Sequence, residues 1–193
     1  VTAASTDYVC DLTTKWKGQT ANRLTVTVDT NSDDLGITYD ISATASGAGQ
    51  PSISAALTAF GNTWNTIVIN SYGTNSTVMD ALEAFNGVPS ASTPTGRYAT
   101  TTMKPLIALT GSVVDDPSSI TDARKNNVTI AICPAPLSAG FQFEAAANMC
   151  VLFARKAQDT PELDVSGDFY PDMPTPTDIG SMADLTNRNT ILL

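Results

Sequence analysis

The chain has 193 residues, of which 42% are hydrophobic and only 15% charged, with a net charge of −9 and no histidine. That length is enough for one large domain or two small ones with a buried core. The charge excludes a phosphate-tracking nucleic-acid surface, which needs clustered Lys and Arg. The missing imidazole excludes the Ser-His-Asp and Cys-His nucleophile designs.

Taken in chain order, the first 46 residues read as strands. Tyr8, Cys10 and Leu12 alternate with polar neighbours, then Leu24, Val26 and Val28, then Ile37, Tyr39, Ile41 and Ala43. Turn chemistry separates them at 16–22 and at 31–34. Three period-2 segments predict an antiparallel meander with one buried face.

From residue 47 the pattern changes. Residues 52–60 carry Ile53, Ala56, Leu57 and Phe60 at helical spacing, and 66–70 is a short apolar run expected of a strand covered on both faces. Asn75 or Ser76 is placed to cap a helix bearing Val78, Leu82 and Phe85, closed by Gly87. A second buried strand is predicted at 106–109. Asp115 or Asp116 with Pro117 opens a further helix, and 128–132 is a third buried strand ended by Pro134 and Pro136. Phe143, Ala146, Ala147, Cys150, Val151, Ala154 and Ala157 mark one face of a four-turn helix. The proline-dotted stretch 159–176 reads as extended surface chain, followed by a short helical pattern through Met182, Leu185, Ile191 and Leu192. The expected fold class is α/β, three-layer with a mainly parallel sheet, preceded by an antiparallel β-rich lobe. The expected domains are 1–46 and 47–193.

Several residue groups invite a chemical reading. Gly47-Ala48-Gly49 lacks the third glycine of a dinucleotide loop and follows a strand of the meander, so a plain turn is expected. Asp33-Asp34 and Asp115-Asp116 lack calcium-loop spacing and read as a turn and a helix cap. Asp164, Asp168 and Asp172 are separated by glycine and proline, and read as loop carboxylates. Ser112 sits outside a nucleophile elbow, and Trp16 and Trp64 are expected in the core. Lys15, Lys17 and Arg23 come close to a basic group and are read as a solvated edge. Cys10, Cys133 and Cys150 are odd in number and widely spaced, so buried free thiols in a reducing compartment are expected rather than a disulfide framework or zinc site. No stretch reaches the ~20 apolar residues of a membrane helix, and residues 1–10 lack the basic start and apolar run of a signal peptide. No catalytic, cofactor-binding or metal residue is assigned.

Four segments, in order, resemble the contractile tail sheath family, especially its phage Mu-type members. They are Lys17-Gly18-Gln19-Thr20-Ala21-Asn22-Arg23-Leu24; the run from Gly47-Ala48-Gly49-Gln50-Pro51-Ser52 to Ile67-Val68-Ile69-Asn70-Ser71-Tyr72; Ala123-Arg124-Lys125-Asn126-Asn127-Val128 with Pro134-Ala135-Pro136 and Glu144-Ala145-Ala146-Ala147; and Ala183-Asp184-Leu185-Thr186-Asn187-Arg188-Asn189-Thr190-Ile191-Leu192-Leu193. The chain departs from the family pattern at Ala21, where a glycine is common, at Ser71, where a proline is common, and at Thr160, which interrupts an Asp-Pro phrase. The resemblance covers nearly the whole chain. It implies a non-enzymatic bacteriophage virion protein: a structural subunit that polymerises helically around an inner tube and contracts to drive it through a bacterial envelope. Its partners would be identical subunits, the inner tail tube protein and the baseplate, with no nucleic acid and no membrane insertion. It would be assembled in the host bacterial cytoplasm and located in the virion tail. The arms that join neighbouring subunits in the family would lie outside these residues, which makes the chain by itself an expected monomer. Two other classes accommodate the composition: a cell-surface or secreted acidic binding module, and a carboxylate-dependent α/β hydrolase supported by the acidic stretch 162–172.

Overall fold

The computed structural model describes residues 2–6, 8–29, 38–42, 44–49, 51–90, 92–124, 128–138 and 140–162. The chain divides into two compact units, Val1–Pro51 and one beginning at Ser52.

In the first unit, β1 (Thr2–Thr6) pairs antiparallel with β2 (Val9–Thr13), in a register running from Thr2↔Thr13 to Thr6↔Val9. The expected meander is therefore corrected. Of its three alternating segments only the first is a strand, and its partner is the preceding Thr2–Thr6, which the alternation did not mark. Residues 24–29 and 38–42 follow no ladder, while 30–37 and 43 lie outside the described residues. Side chains replace the ladder here. The Asn22 amide accepts from Gly47 N at 2.8 Å and donates to Gly47 O at 3.0 Å. Thr44 Oγ1 donates to Asn22 O at 3.0 Å and also reaches Leu24 O. Such local side-chain bonds give the backbone an alternative to strand pairing. Nor is there a buried face: all five residues of β2 are exposed, and Ala21 is the one buried residue described in this unit.

The second unit holds a parallel three-stranded sheet in the order β3 (Ile67–Asn70), β4 (Ile107–Ser112), β5 (Ile130–Pro134). The register aligns Val68, Ala108 and Ile130 on one face, and Ile69, Leu109 and Ala131 on the other. On the first face, α1 (Ser54–Ala59) and α2 (Ser76–Asn86) close a core of Leu57, Val78, Leu82, Leu106 and Ala108. On the second, α4 (Gln142–Asp159) packs Ala145 and Ala146 against Leu109, Cys133 and Ala135. Helices on both faces make the three-layer α/β arrangement that strand–helix alternation predicts.

The helix boundaries follow local chemistry. Asn75 Oδ1 accepts from Val78 N at 3.2 Å, and Gly87 closes α2 at φ 76°. The short α3 (Ser118–Asp122) starts after Pro117, with Asp116 Oδ1 accepting from Ser118 N at 2.9 Å. On α4, Phe141 N donates to Glu144 Oε2 at 2.8 Å, which satisfies an otherwise orphaned donor before the first turn.

Only β4 is covered on both faces along most of its length. β3 and β5 are edges, and Ile69 and Val128 stay 41% and 54% exposed. The expectation that 66–70 and 128–132 are fully covered strands is corrected accordingly. A sheet of three strands leaves two rims, and nothing in a short apolar run says which strand ends up central. The predicted extension over 159–176 and the helical pattern near 182–192 fall outside the described residues beyond Glu162.

Candidate functional site at the C-terminal end of the sheet

In open parallel α/β sheets the side chains able to do chemistry gather beyond the strand C-termini. In this protein that end brings together Asn70 of β3, Thr110 and Ser112 of β4, and the first turn of α4. Asn70 is 3% exposed and Thr110 and Ser112 are fully buried. Asn70 Nδ2 donates to Gly73 O at 2.9 Å and to Thr110 Oγ1 at 3.2 Å, while its Oδ1 accepts from Tyr72 N at 3.0 Å. Ser112 Oγ accepts from Val114 N at 3.3 Å. Gln142 Oε1 accepts from Thr74 N at 3.2 Å. These groups serve one another and the turn backbones, as buried polar groups must.

Helix α4 reaches this end because glycine lets it. A Cβ on Gly111 would lie 1.6 Å from the Gln142 carbonyl oxygen, an impossible contact with backbone. A Cβ on Gly73 would meet the Gln142 side chain. The helix start therefore rests directly on the β4 backbone.

What faces outward at this end is apolar. Tyr72, Val114 and Leu137, each two or three residues past the end of β3, β4 and β5, are 45%, 40% and 45% exposed. Leu137 adopts φ 55°, a left-handed conformation rare for a bulky side chain and costing of the order of 1–3 kcal/mol. Bonds from Leu137 N to Val113 O at 3.0 Å and from Ser138 N to Ala135 O at 3.1 Å hold it. At the start of α4 the rings of Phe141 and Phe143 stack at 5.3 Å.

The carboxylate pair Asp115-Asp116 borders this rim. The Ser118 hydroxyl and backbone N–H hold the Asp116 carboxyl below its ordinary range; the N-cap of α3 is Pro117, so Asp116 stands one residue before the expected cap. Ser112, weighed as a nucleophile, is instead a buried acceptor for Val114. Gly47-Ala48-Gly49 forms no regular element or assigned turn, and Gly47 is needed because a Cβ there would sit 2.5 Å from both Gly18 O and Asn22 Oδ1. Asp33-Asp34, Asp164, Asp168 and Asp172 lie outside the described residues.

Two expectations are corrected. Trp16 and Trp64 are not core: they are 53% and 56% exposed, with Trp64 Nε1 donating to Pro105 O at 2.8 Å. Indole carries a polar handle, so a tryptophan beside a strand can stay at the surface. Of the three free cysteines only Cys133 is buried. Cys150 is half-buried and Cys10 is exposed on β2. Burial, with a further contribution from the neighbouring Cys150 thiol, pushes the Cys133 thiol up to about 11.

Sequence reading missed the side chains that fasten the opposite end of the sheet. Asn86, fully buried, accepts from Leu106 N at 2.9 Å and donates to Leu106 O at 2.9 Å and Thr129 Oγ1 at 2.8 Å. Arg97, 6% exposed, donates to Lys104 O, Gly61 O and Thr63 O at 2.9, 3.0 and 2.7 Å and lies over the Phe85 ring. Neither residue stands in a pattern that a linear scan detects. Among the described residues, no group of three or more Asp, Glu, His or Cys is placed to hold a metal ion, and no helix is long and apolar enough to cross a membrane. No family model, curated protein or solved structure matches the chain.

Proposed function

We propose that this chain is a structural subunit of a contractile tail sheath that acts by packing against copies of itself around an inner tube. The observation that carries the reading is the exposure of patterned apolar residues in the first unit. Leu12, Val26, Val28, Tyr39 and Ile41 belong to strand-like alternation, yet are 42%, 37%, 45%, 47% and 46% exposed, and Val9 on the other face of β2 is 59% exposed. A two-stranded hairpin without a covered face is marginal in water by itself, so this pattern calls for a covering surface.

The magnitudes suit a lattice. Full burial of such a side chain is worth about 1.5–3 kcal/mol, so six half-exposed ones offer roughly 6 kcal/mol. That is near the lower end of the ~4–15 kcal/mol cost of bringing two bodies together. One pairwise contact is weak, which agrees with a monomer at high dilution, while many contacts summed over a helical array hold. The engaged polar groups at the C-terminal end of the sheet weigh in the same direction and against a carboxylate hydrolase.

Negative-stain microscopy of the full-length protein tests the proposal. Tubes or stacked rings of uniform diameter are expected. A protein that stays monomeric at all attainable concentrations overturns it.

A further inference from the structure

We infer that the apolar rim at the C-terminal end of the parallel sheet is the docking site for the Lys15-Trp16-Lys17 segment of a second copy of this chain. The inference rests on the assembling-subunit reading above and names the surfaces that meet. The rim offers exposed Tyr72, Val114 and Leu137, one from the turn after each of three adjacent strands. It is edged by the adjacent carboxylates Asp115 and Asp116. A matching occupant presents a large apolar group flanked by cations.

The first unit displays that combination. Trp16 is 53% exposed, and Lys15 and Lys17 on either side of it are exposed as well. Tryptophan set in an apolar depression is a frequent energetic anchor of interfaces, and opposite charges around it fix register and suppress wrong partners. The two surfaces are different patches on one molecule, so each copy can offer its tryptophan to the next. Such a heterologous contact propagates as an open helix unless rotation closes it into a ring, which is the symmetry that a sheath requires.

Sedimentation equilibrium of the 193-residue chain, carried to high concentration at low and high salt, tests the pairing. Weak, salt-sensitive association is expected. Trp16→Ala and, independently, Tyr72→Ser are each expected to weaken it at least tenfold, and Lys15→Glu/Lys17→Glu to weaken it similarly. Adding Asp115→Lys/Asp116→Lys to the lysine variant should restore association to within about threefold of the original. Circular dichroism checks each variant's fold, and the two uncharged variants leave the bond from Ser118 N to Asp116 intact. Association that is unaffected by Trp16→Ala and Tyr72→Ser overturns the docking inference and leaves the assembly reading standing. The same holds if those variants change tryptophan fluorescence and stability without changing association, since the occupant would then be a segment of the same chain. Absence of any association in the unaltered chain overturns the docking inference alone, because the assembly reading is tested on the full-length protein.

Discussion

Asn86 and Thr129 lie 43 residues apart, yet the Asn86 amide donates to the Thr129 hydroxyl at 2.8 Å. The same amide group accepts from Leu106 N and donates to Leu106 O. One side chain at the end of α2 thus holds the residues entering β4 and β5 together. Without it, the backbone groups of Leu106 would be buried with no partner, each costing about 1–3 kcal/mol.

Asn86→Ala is therefore expected to destabilise the protein by about 3 kcal/mol or more. Asn86→Asp, nearly isosteric, should also destabilise it, because a carboxylate cannot donate to Leu106 O. Urea unfolding, with midpoint and slope compared, measures both.

The two glycines against Gln142 should behave differently. Gly111→Ala sets a methyl against the Gln142 backbone carbonyl, which only a shift of α4 relieves, so a loss of at least ~3 kcal/mol or failure to fold is expected. Gly73→Ala meets the movable end of the Gln142 side chain. It retains a strained φ of 58°, so about 1–2 kcal/mol is expected. Thermal unfolding of the two variants side by side checks the order.

Arg124 bridges Asp80 and Glu83 of α2, each at 2.6 Å, with its side chain and that of Glu83 only 14% and 16% exposed. Glu83 Oε1 is buried and has no other partner. Arg124→Met strands a largely buried carboxylate and should cost about 2–3 kcal/mol. Arg124→Met with Glu83→Met should be less destabilised than the single change, because no unpaired charge remains. A double-mutant cycle in denaturant measures the coupling.

Asp116 gives a pH test. Its folded carboxyl titrates below the ordinary aspartate range, through the hydroxyl and backbone N–H of Ser118. A depressed folded pKa means that its contribution is present above the unfolded pKa and is lost as pH falls through the folded one. Asp116→Asn should therefore flatten the acid side of the stability profile below about pH 4, and change little of the slope above pH 5.

The thiols should react in order of exposure. Cys10 is exposed on β2 and is expected to react with an aromatic disulfide reagent first, Cys150 more slowly. Cys133, buried and with its thiol pushed up to about 11, should react only on unfolding. Stopped-flow colorimetry with single Cys→Ser variants assigns each phase.

The second unit was legible in the residues because its signals are local. Asn75 and Gly87 bound α2 by capping chemistry, Pro117 opens α3, and the stripe from Phe143 to Ala157 needs only a 3.6-residue period to declare a helix. Alternating strands and helices then imply a sheet covered on both sides. The first unit was misread because alternation states only that a segment suits a half-buried strand, and cannot supply the surface that covers it. Asn22 and Thr44 hold that backbone through contacts 20 to 25 residues distant, and Trp16 stays 53% exposed. Local sequence determined where helices start and stop, since those energies come from neighbours within four residues. Tertiary structure alone decided that β4 is central, that Asn86 and Arg97 fasten the strand entries, and that Tyr72, Val114 and Leu137 share one rim, because each depends on which distant segments the sheet brings side by side.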